Sequence, residues 1–409
     1  MDIRPILSTL RRHKITAWLL VLEIALTCAI VCNAIFLIGQ RLERMNVPSG
    51  VAEHQLVYVQ LANIGSRSDA MARAAADLAA LRGIPGVQAV TLANAVPFGS
   101  SASNMGIRID PTQQKDTIMP AQYLGEDLPR TFGVQIVEGR DFLPEEYVDL
   151  PVVYAALSKG DHNAIPKPVL ITRSIADRLW PGQDPLGKQI YVGKDFTMTV
   201  IGVMAQLVRP HQFQLGAQYS LINPIRLSVA QGGEFILRCA PGDRDRVLNA
   251  ALAKLKALDP NRLVLGKGNF DQMRHNYFRN DRAMAGILVG VCLALLIVTA
   301  LGIVGLASFW VAQRNRSIGV RRALGATRGN ILHYFQTENF LLTTIGIALG
   351  MVLAYGVNLF LIVHYELPRL PAIYFPVGAA LLWAIGQAAV LGPALRAAAV
   401  PPVVATRSV

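Results

Sequence analysis

Four stretches of this 409-residue chain are too long, too apolar and too poor in charge to sit on the surface of a water-soluble fold. Residues 15–39 hold a single charge, Glu23, and residues 284–312, 340–363 and 373–395 hold none. At about 1.5 Å rise per residue, each stretch can cross a hydrocarbon core of roughly 30 Å as a helix. The composition agrees, with 52% hydrophobic against 16% charged residues, the balance of a membrane protein. The chain therefore reads as an α-helical membrane protein with four transmembrane helices, at 15–40, 283–312, 336–363 and 373–395. The first run exceeds the roughly 7–15 apolar residues of a secretory signal, and no small-x-small cleavage site follows, so it reads as a retained anchor.

Basic residues orient these spans, because Lys and Arg are held on the cytoplasmic side of a bilayer. Arg4, Arg11, Arg12 and Lys14 precede the first span. Residues 313–331, QRNRSIGVRRALGATRGNI, carry Arg314, Arg316, Arg321, Arg322 and Arg328 and no acid. Both tails, 1–14 and 396–409 (with Arg396 and Arg407), are then cytoplasmic, the large region 41–282 lies outside, and 364–372 is a short outer turn. Most of the formal net charge of +12 lies in the spans' flanks, so it reflects topology, and nucleic-acid binding is not implied. Within the basic segment, Ile318, Leu324 and Ile331 recur among the charges as on a short helix lying along a surface, here placed at 313–335 and free to dock on a cytosolic partner.

The outer region repeats itself. Residues 54–62 (HQLVYVQLA) read as a strand, 68–81 as an Ala-rich helix and 87–93 (VQAVTLA) as a second strand, with Gly83, Pro85 and Gly86 supplying the stop and turn. The same order returns at 234–239 (EFILRC), 243–258 and 262–265. Two β-α-β halves far apart in sequence predict one split α+β domain, at 50–116 and 224–270. Between them, 117–223 is rich in Pro and Gly with short Val and Ile runs, and reads as an inserted β-rich subdomain. Inside it, 169–180 is a strand leading into a short helix, and 189–192 and 197–204 are paired strands. Ala74, Ala75, Leu78 and Leu81 read as core rather than as a ligand groove, and Tyr58, Phe132, Trp180 and Tyr191 likewise as core aromatics.

Chemistry is sparse. No G-x-x-x-x-G-K-[ST] occurs: Gly187-Lys188, Gly193-Lys194 and Gly266-Lys267 are followed by Gln, Asp and Gly, none of which supplies the hydroxyl that holds magnesium. G-x-S-x-G and H-E-x-x-H are absent too, and Ser100, Ser101 and Ser103 read as turn residues. Cys28, Cys32 and Cys292 fall in spans and only Cys239 outside, so no structural disulfide is expected, and the scattered histidines lack metal-ligand spacing. Glu23 is the one acid deep in a span. Its functional reading is proton uptake or pairing with a neighbouring chain; its structural reading is a helix interface with a partner such as Thr27. Gly286-x-x-x-Gly290 and Gly346-x-x-x-Gly350 permit close helix approach, within or between chains.

The words of the sequence also resemble a family. RSIGVRRALGATRGNI at 316–331, Glu338 and Asn339 with FLLTTIGIALG, and PALRAAAVPPVVATR at 393–407 are similar to the FtsX-like transmembrane domain. VQIVEGRDF at 134–142 and LWPGQDPLGKQI with TVIGVM within 179–204 are similar to a MacB-like periplasmic core domain. The chain thus resembles MacB/FtsX-type permeases of ATP-binding-cassette (ABC) systems over nearly its whole length. The resemblance implies a dimer with a second permease, identical or related, whose outer porter-like subdomain is split by the inserted one. It also implies a cytosolic element coupled to an ATPase dimer: Ile318, Gly319, Val320, Arg321, Arg322, Ala323, Leu324, Gly325, Ala326 and Thr327. Only about fourteen residues precede the first helix, so the ATPase, with its ATP and Mg, is expected to be a separate chain and no cofactor is expected here. The implied function is efflux of antibiotics, peptides or lipid-like substrates from the bacterial inner membrane, driven by mechanotransmission, with a periplasmic adaptor, an outer-membrane channel and membrane lipids as further partners. Lipoprotein release and an FtsX-like signalling scaffold are the alternatives.

Overall fold

A computed structural model describes residues 14–62, 69–193, 196–211, 216–231, 233–365 and 369–399. Arg4, Arg11, Arg12, Arg407 and Ser68 lie outside them, as does the middle of the expected outer turn. The chain forms two compact units, Met1–Met45 with Asn280–Val409, and Asn46–Arg279. In chain order the helices are α1 (Lys14–Asn46), α2 (Ala70–Arg82), α3 (Leu128–Phe132), α4 (Leu150–Ser158), α5 (Arg173–Leu179), α6 (Arg244–Leu258), α7 (Phe270–Tyr277), α8 (Arg279–Ala323), α9 (Arg328–Tyr365) and α10 (Tyr374–Ala399). The strands are β1 (Leu56–Ala62), β2 (Val87–Ala93), β3 (Ala121–Leu124), β4 (Ile136–Gly139), β5 (Val148–Asp149), β6 (Pro168–Thr172), β7 (Gln189–Val192), β8 (Phe196–Met204), β9 (Ser220–Asn223), β10 (Ile225–Arg226), β11 (Glu234–Cys239) and β12 (Leu263–Asn269).

In the helical unit, α1, α8, α9 and α10 are each long and apolar enough to cross a membrane. Helix α1 touches the other three, and glycines set the distances. A Cβ on Gly346 of α9 would stand 2.7 Å from Ile24, and one on Gly350 would overlap Cys28 and Ala25. Gly378 of α10 abuts Cys32 in the same way, and Gly302 of α8 lies against the Glu23 carboxylate. Small residues at these points let backbones approach where no hydrophobic drive operates between helices. A Cβ added at Gly286 or Gly290 would meet nothing within 4 Å, so these two pack against nothing among the described residues. Polar side chains tie the bundle: Thr27 and Thr299 share a 2.8 Å hydrogen bond, Asn33 donates to the Ala354 carbonyl (3.1 Å), and Arg41 meets buried Asp281 at 2.6 Å.

The basic segment departs from expectation. The separate surface helix expected at 313–335 does not exist: α8 runs unbroken through residue 323 and α9 starts at 328. Nothing between Gln313 and Ala323 breaks a helix, so the apolar helix continues through its arginines until Gly325 stops it.

In the α+β unit, the two distant halves share one antiparallel sheet, ordered β12-β1-β11-β2. Side chains alternate across it. Val57, Val59, Phe235 and Leu237 face α2 and α6, meeting Ala74, Leu78, Val247 and Ala251. Leu56, Ile236 and Ala93 face the other way, onto Tyr123 of β3 and Leu128 and Phe132 of α3. The intervening region holds a mixed sheet, β3-β9-β6-β8-β4 with β7 beside β8, and a small parallel pair, β5 with β10. It is not simply β-rich, because α3, α4 and α5 interleave with its strands. In α3 and α4 a proline in the first turn, Pro129 and Pro151, presets helical φ and costs no hydrogen bond there. That outweighs the strand preference of Val152 and Val153.

Glu234 opens β11 and is 2% exposed, with its Oε2 unpartnered among the described residues. Burial pushes its carboxyl from the ordinary 4.5 up to about 7. The folded chain therefore holds this proton more tightly than the unfolded chain, and stability is lost as pH rises from about 4.5 through about 7. The loss amounts to about 3 kcal/mol. Urea unfolding of the full chain at pH 4.5 and 7.5 is expected to show that loss in the wild type and to lack it in Glu234→Gln.

Candidate functional site

The site is the end of the helical unit where α8 turns into α9. Its turn is built from local rules. The Gly325 N–H donates to Arg322 O (3.1 Å) and the Ala326 N–H to Arg321 O (3.0 Å), the paired bonds of a Schellman ending, with Gly325 at φ +98° where a side chain would be strained. Thr327 then caps α9, its Oγ1 accepting from the Asn330 N–H at 3.2 Å. One glycine and one threonine, two residues apart, end one helix and begin the next.

Below the turn the helices are fastened together. Val311 and Ile318 of α8, Ile331 and Phe335 of α9, and Ala394, Ala397 and Ala398 of α10 form one apolar cluster. Next to it, Arg314 Nη1 contacts both carboxylate oxygens of Glu338, at 3.1 and 2.9 Å, and its guanidinium lies 5.5 Å from the Trp310 ring centre. The Glu338 side chain is 2% exposed. A charge buried this deeply is tolerable only with a partner.

Of the residues expected to couple to an ATPase, Ile318 is buried in this cluster and fastens the hairpin, and Gly319 is buried too, so neither presents a surface. Val320, Arg321, Ala323, Gly325 and Thr327 are exposed, and Arg322 and Ala326 are half-buried. Leu324 is 83% exposed at the tip. Arg321 lies 5.2 Å over the Tyr334 ring and, with Ser317, Asn330 and Ala326, lines a cavity of about 330 Å³. Gly286, Gly290, Gly346, Gly350 and Glu23 are on the long apolar lengths of the helices and contribute nothing to this site. Glu23 packs on Gly302, and Thr27, expected as its partner, bonds Thr299 instead.

The Arg314–Glu338 pair was not among the expected site residues. Arg314 stands eleven residues before Gly325 and Glu338 thirteen after it, so an antiparallel hairpin turning at that glycine brings them level. Recognition of the glycine-stop, threonine-start turn would have exposed the pairing. Among the described residues no group of His, Cys, Asp and Glu could hold a metal ion.

Comparison with known proteins finds two matches to family models. The FtsX-like permease C-terminal model matches residues 289–402, and the MacB-like periplasmic core domain model matches residues 19–255. The macrolide export ATP-binding/permease protein MacB of Chromobacterium violaceum is 26% identical over 238 residues, covering 58% of this chain and 34% of that protein. The chain thus spans about a third of the length of this MacB relative. An ABC transporter permease of Bacillus subtilis, YknZ, is 22% identical over 364 residues, covering 87% of this chain and 85% of that one. The crystal structure of the periplasmic region of MacB from Actinobacillus actinomycetemcomitans aligns with a TM-score of 0.34 at 14% identity, over 58% of this chain and 97% of that one.

Thr327→Ala is expected to lower stability by about 1 kcal/mol through the lost cap, and Thr327→Ser to leave it unchanged. Unfolding midpoints of the purified chain in detergent check both.

Proposed function

This chain belongs to the family of FtsX-like permeases with a MacB-like periplasmic core domain, and from that membership we propose that it is the membrane subunit of an ABC export system that works by mechanotransmission. In this reading an ATPase dimer on separate chains binds ATP and Mg, and this chain converts its closure into movement of the periplasmic α+β unit. The helical unit anchors the chain in the inner membrane with both tails in the cytoplasm. The arginine-rich turn end is cytoplasmic because Arg316, Arg321, Arg322 and Arg328 cluster there.

The observation that carries the reading is the fastened hairpin. Leu324 stands out at its tip as an apolar anchor of the kind that fills a pocket at a protein interface. Arg321 and the cavity beside it suit an acidic side chain or a carbonyl from the ATPase. A push on Leu324 reaches α8 and α9 together, since the Arg314–Glu338 pair and the Ile318–Phe335 cluster join them. Helix α8 has 45 residues and no proline, so it forms a stiff rod of about 65 Å that follows directly in sequence on the α+β unit.

Cargo is then moved on the outer side and never threads the helices. A relative named for macrolide export favours small antibiotics over lipoproteins as cargo. A second permease completes the membrane dimer, and a periplasmic adaptor and outer-membrane channel extend the route. In the complex reconstituted with its ATPase, Arg321→Glu with Arg322→Glu is expected to cut permease-stimulated ATP hydrolysis at least tenfold without unfolding the chain. Stimulation at the wild-type level would contradict the coupling role.

A further inference from the structure

Helix α2 buries Ala74, Leu78 and Leu81 against the antiparallel sheet, but Ala72 and Ala75 are exposed on its flank. The expectation that Ala75 belongs to the core is therefore wrong. Together with Leu78 these alanines form the apolar side of a cleft of about 430 Å³ within the α+β unit. That volume falls in the range of small-molecule sites. Met71 lines the same side, and the short side chains at Ala72 and Ala75 leave space beside the helix.

The facing wall is polar: Glu126 and, on β5, Asp149 come from the inserted region, and Arg226 of β10 follows just after it. Two carboxylates here share one guanidinium. Arg226 Nε donates to Glu126 Oε1 at 3.1 Å, whereas Asp149 Oδ1 lies 3.7 Å from Arg226 Nη1, beyond hydrogen-bond range. The guanidinium is also committed elsewhere, donating to the Tyr147 and Pro144 carbonyls and lying 5.4 Å from the Tyr147 ring centre. Arg82 reaches Glu126 and Asp127 only at 3.7 Å each. Among the described residues, the wall thus presents carboxylate oxygens whose bonding capacity is not filled, opposite an apolar surface.

We propose that this cleft binds small amphipathic organic cations, with the apolar body of the ligand on Ala72, Ala75 and Leu78 and its positive centre between Glu126 and Asp149. An anion of the same shape meets a net negative wall and is rejected. A neutral ligand gains the apolar contact but leaves the carboxylates as they were. The site is separate from the hairpin, so it needs neither ATPase nor nucleotide to fill.

Tetraphenylphosphonium and tetraphenylborate have nearly the same size and shape and opposite charge. Binding of each to the full chain in lipid nanodiscs, without nucleotide and with empty discs subtracted, separates shape from charge. The wild type is expected to bind tetraphenylphosphonium saturably, one per chain, and tetraphenylborate not at all. Ala75→Trp, on an exposed flank, fills the cleft and should weaken the cation at least tenfold. Glu126→Gln with Asp149→Asn should do the same by removing charge while leaving the shape. Lack of saturable cation binding, equal binding of the borate, or an affinity that either correctly folded variant leaves unchanged overturns the proposal.

Discussion

Between two long apolar helices, the Glu338 carboxylate is shut away from water with the Arg314 guanidinium against both of its oxygens. Stranding either charge in such surroundings costs about 3–5 kcal/mol, so the pair holds α8 and α9 in one register. Everything nearer the turn follows from that register. Ile318 meets Ile331 and Phe335, α10 closes over them with Ala394 and Ala397, and Arg316, Arg321, Arg328 and Leu324 are left exposed. The tip that a partner would grip is therefore rigidly joined to two helices at once.

The same economy of polar groups runs along the bundle. Where helices lack a hydrophobic reason to associate, contact is made by glycines and by a few satisfied hydrogen bonds. Gly346 and Gly350 let α9 settle onto α1, and Thr27 with Thr299 fixes α1 against α8. Gly286 and Gly290 carry the same spacing and pack against nothing among the described residues. Spacing alone identifies small residues, and only the packing separates those that are used.

Much of the architecture was legible because periodicity and composition are strong signals for it. The apolar runs are long enough to leave no soluble alternative, and strands such as EFILRC and VQAVTLA carry their pattern within six or seven residues. That the two β-α-β halves share one domain was legible from their order, but the interleaving of their strands was not. The hairpin was not, because a hydrophobic-pattern reading ends a spanning helix where charge begins, although a helix ends only where its backbone is stopped. Gly325 and Thr327 hold that information in turn chemistry, and Arg314 and Glu338 hold it in a long-range pairing that no local window contains. The cleft beside α2 was hidden for a related reason: Ala74 and Ala75 are neighbours of one type, yet one is buried and the other exposed.

In the proposed mechanism the Arg314–Glu338 pair makes the hairpin a single lever between an ATPase and the outer unit. Exchanging the charges tests it most directly, by ATPase stimulation in the reconstituted complex. Arg314→Glu and Glu338→Arg should each abolish most of the stimulation by stranding a like-charged pair, and the double exchange should restore it. Single variants that couple normally, or a folded double exchange that recovers nothing, would contradict the account.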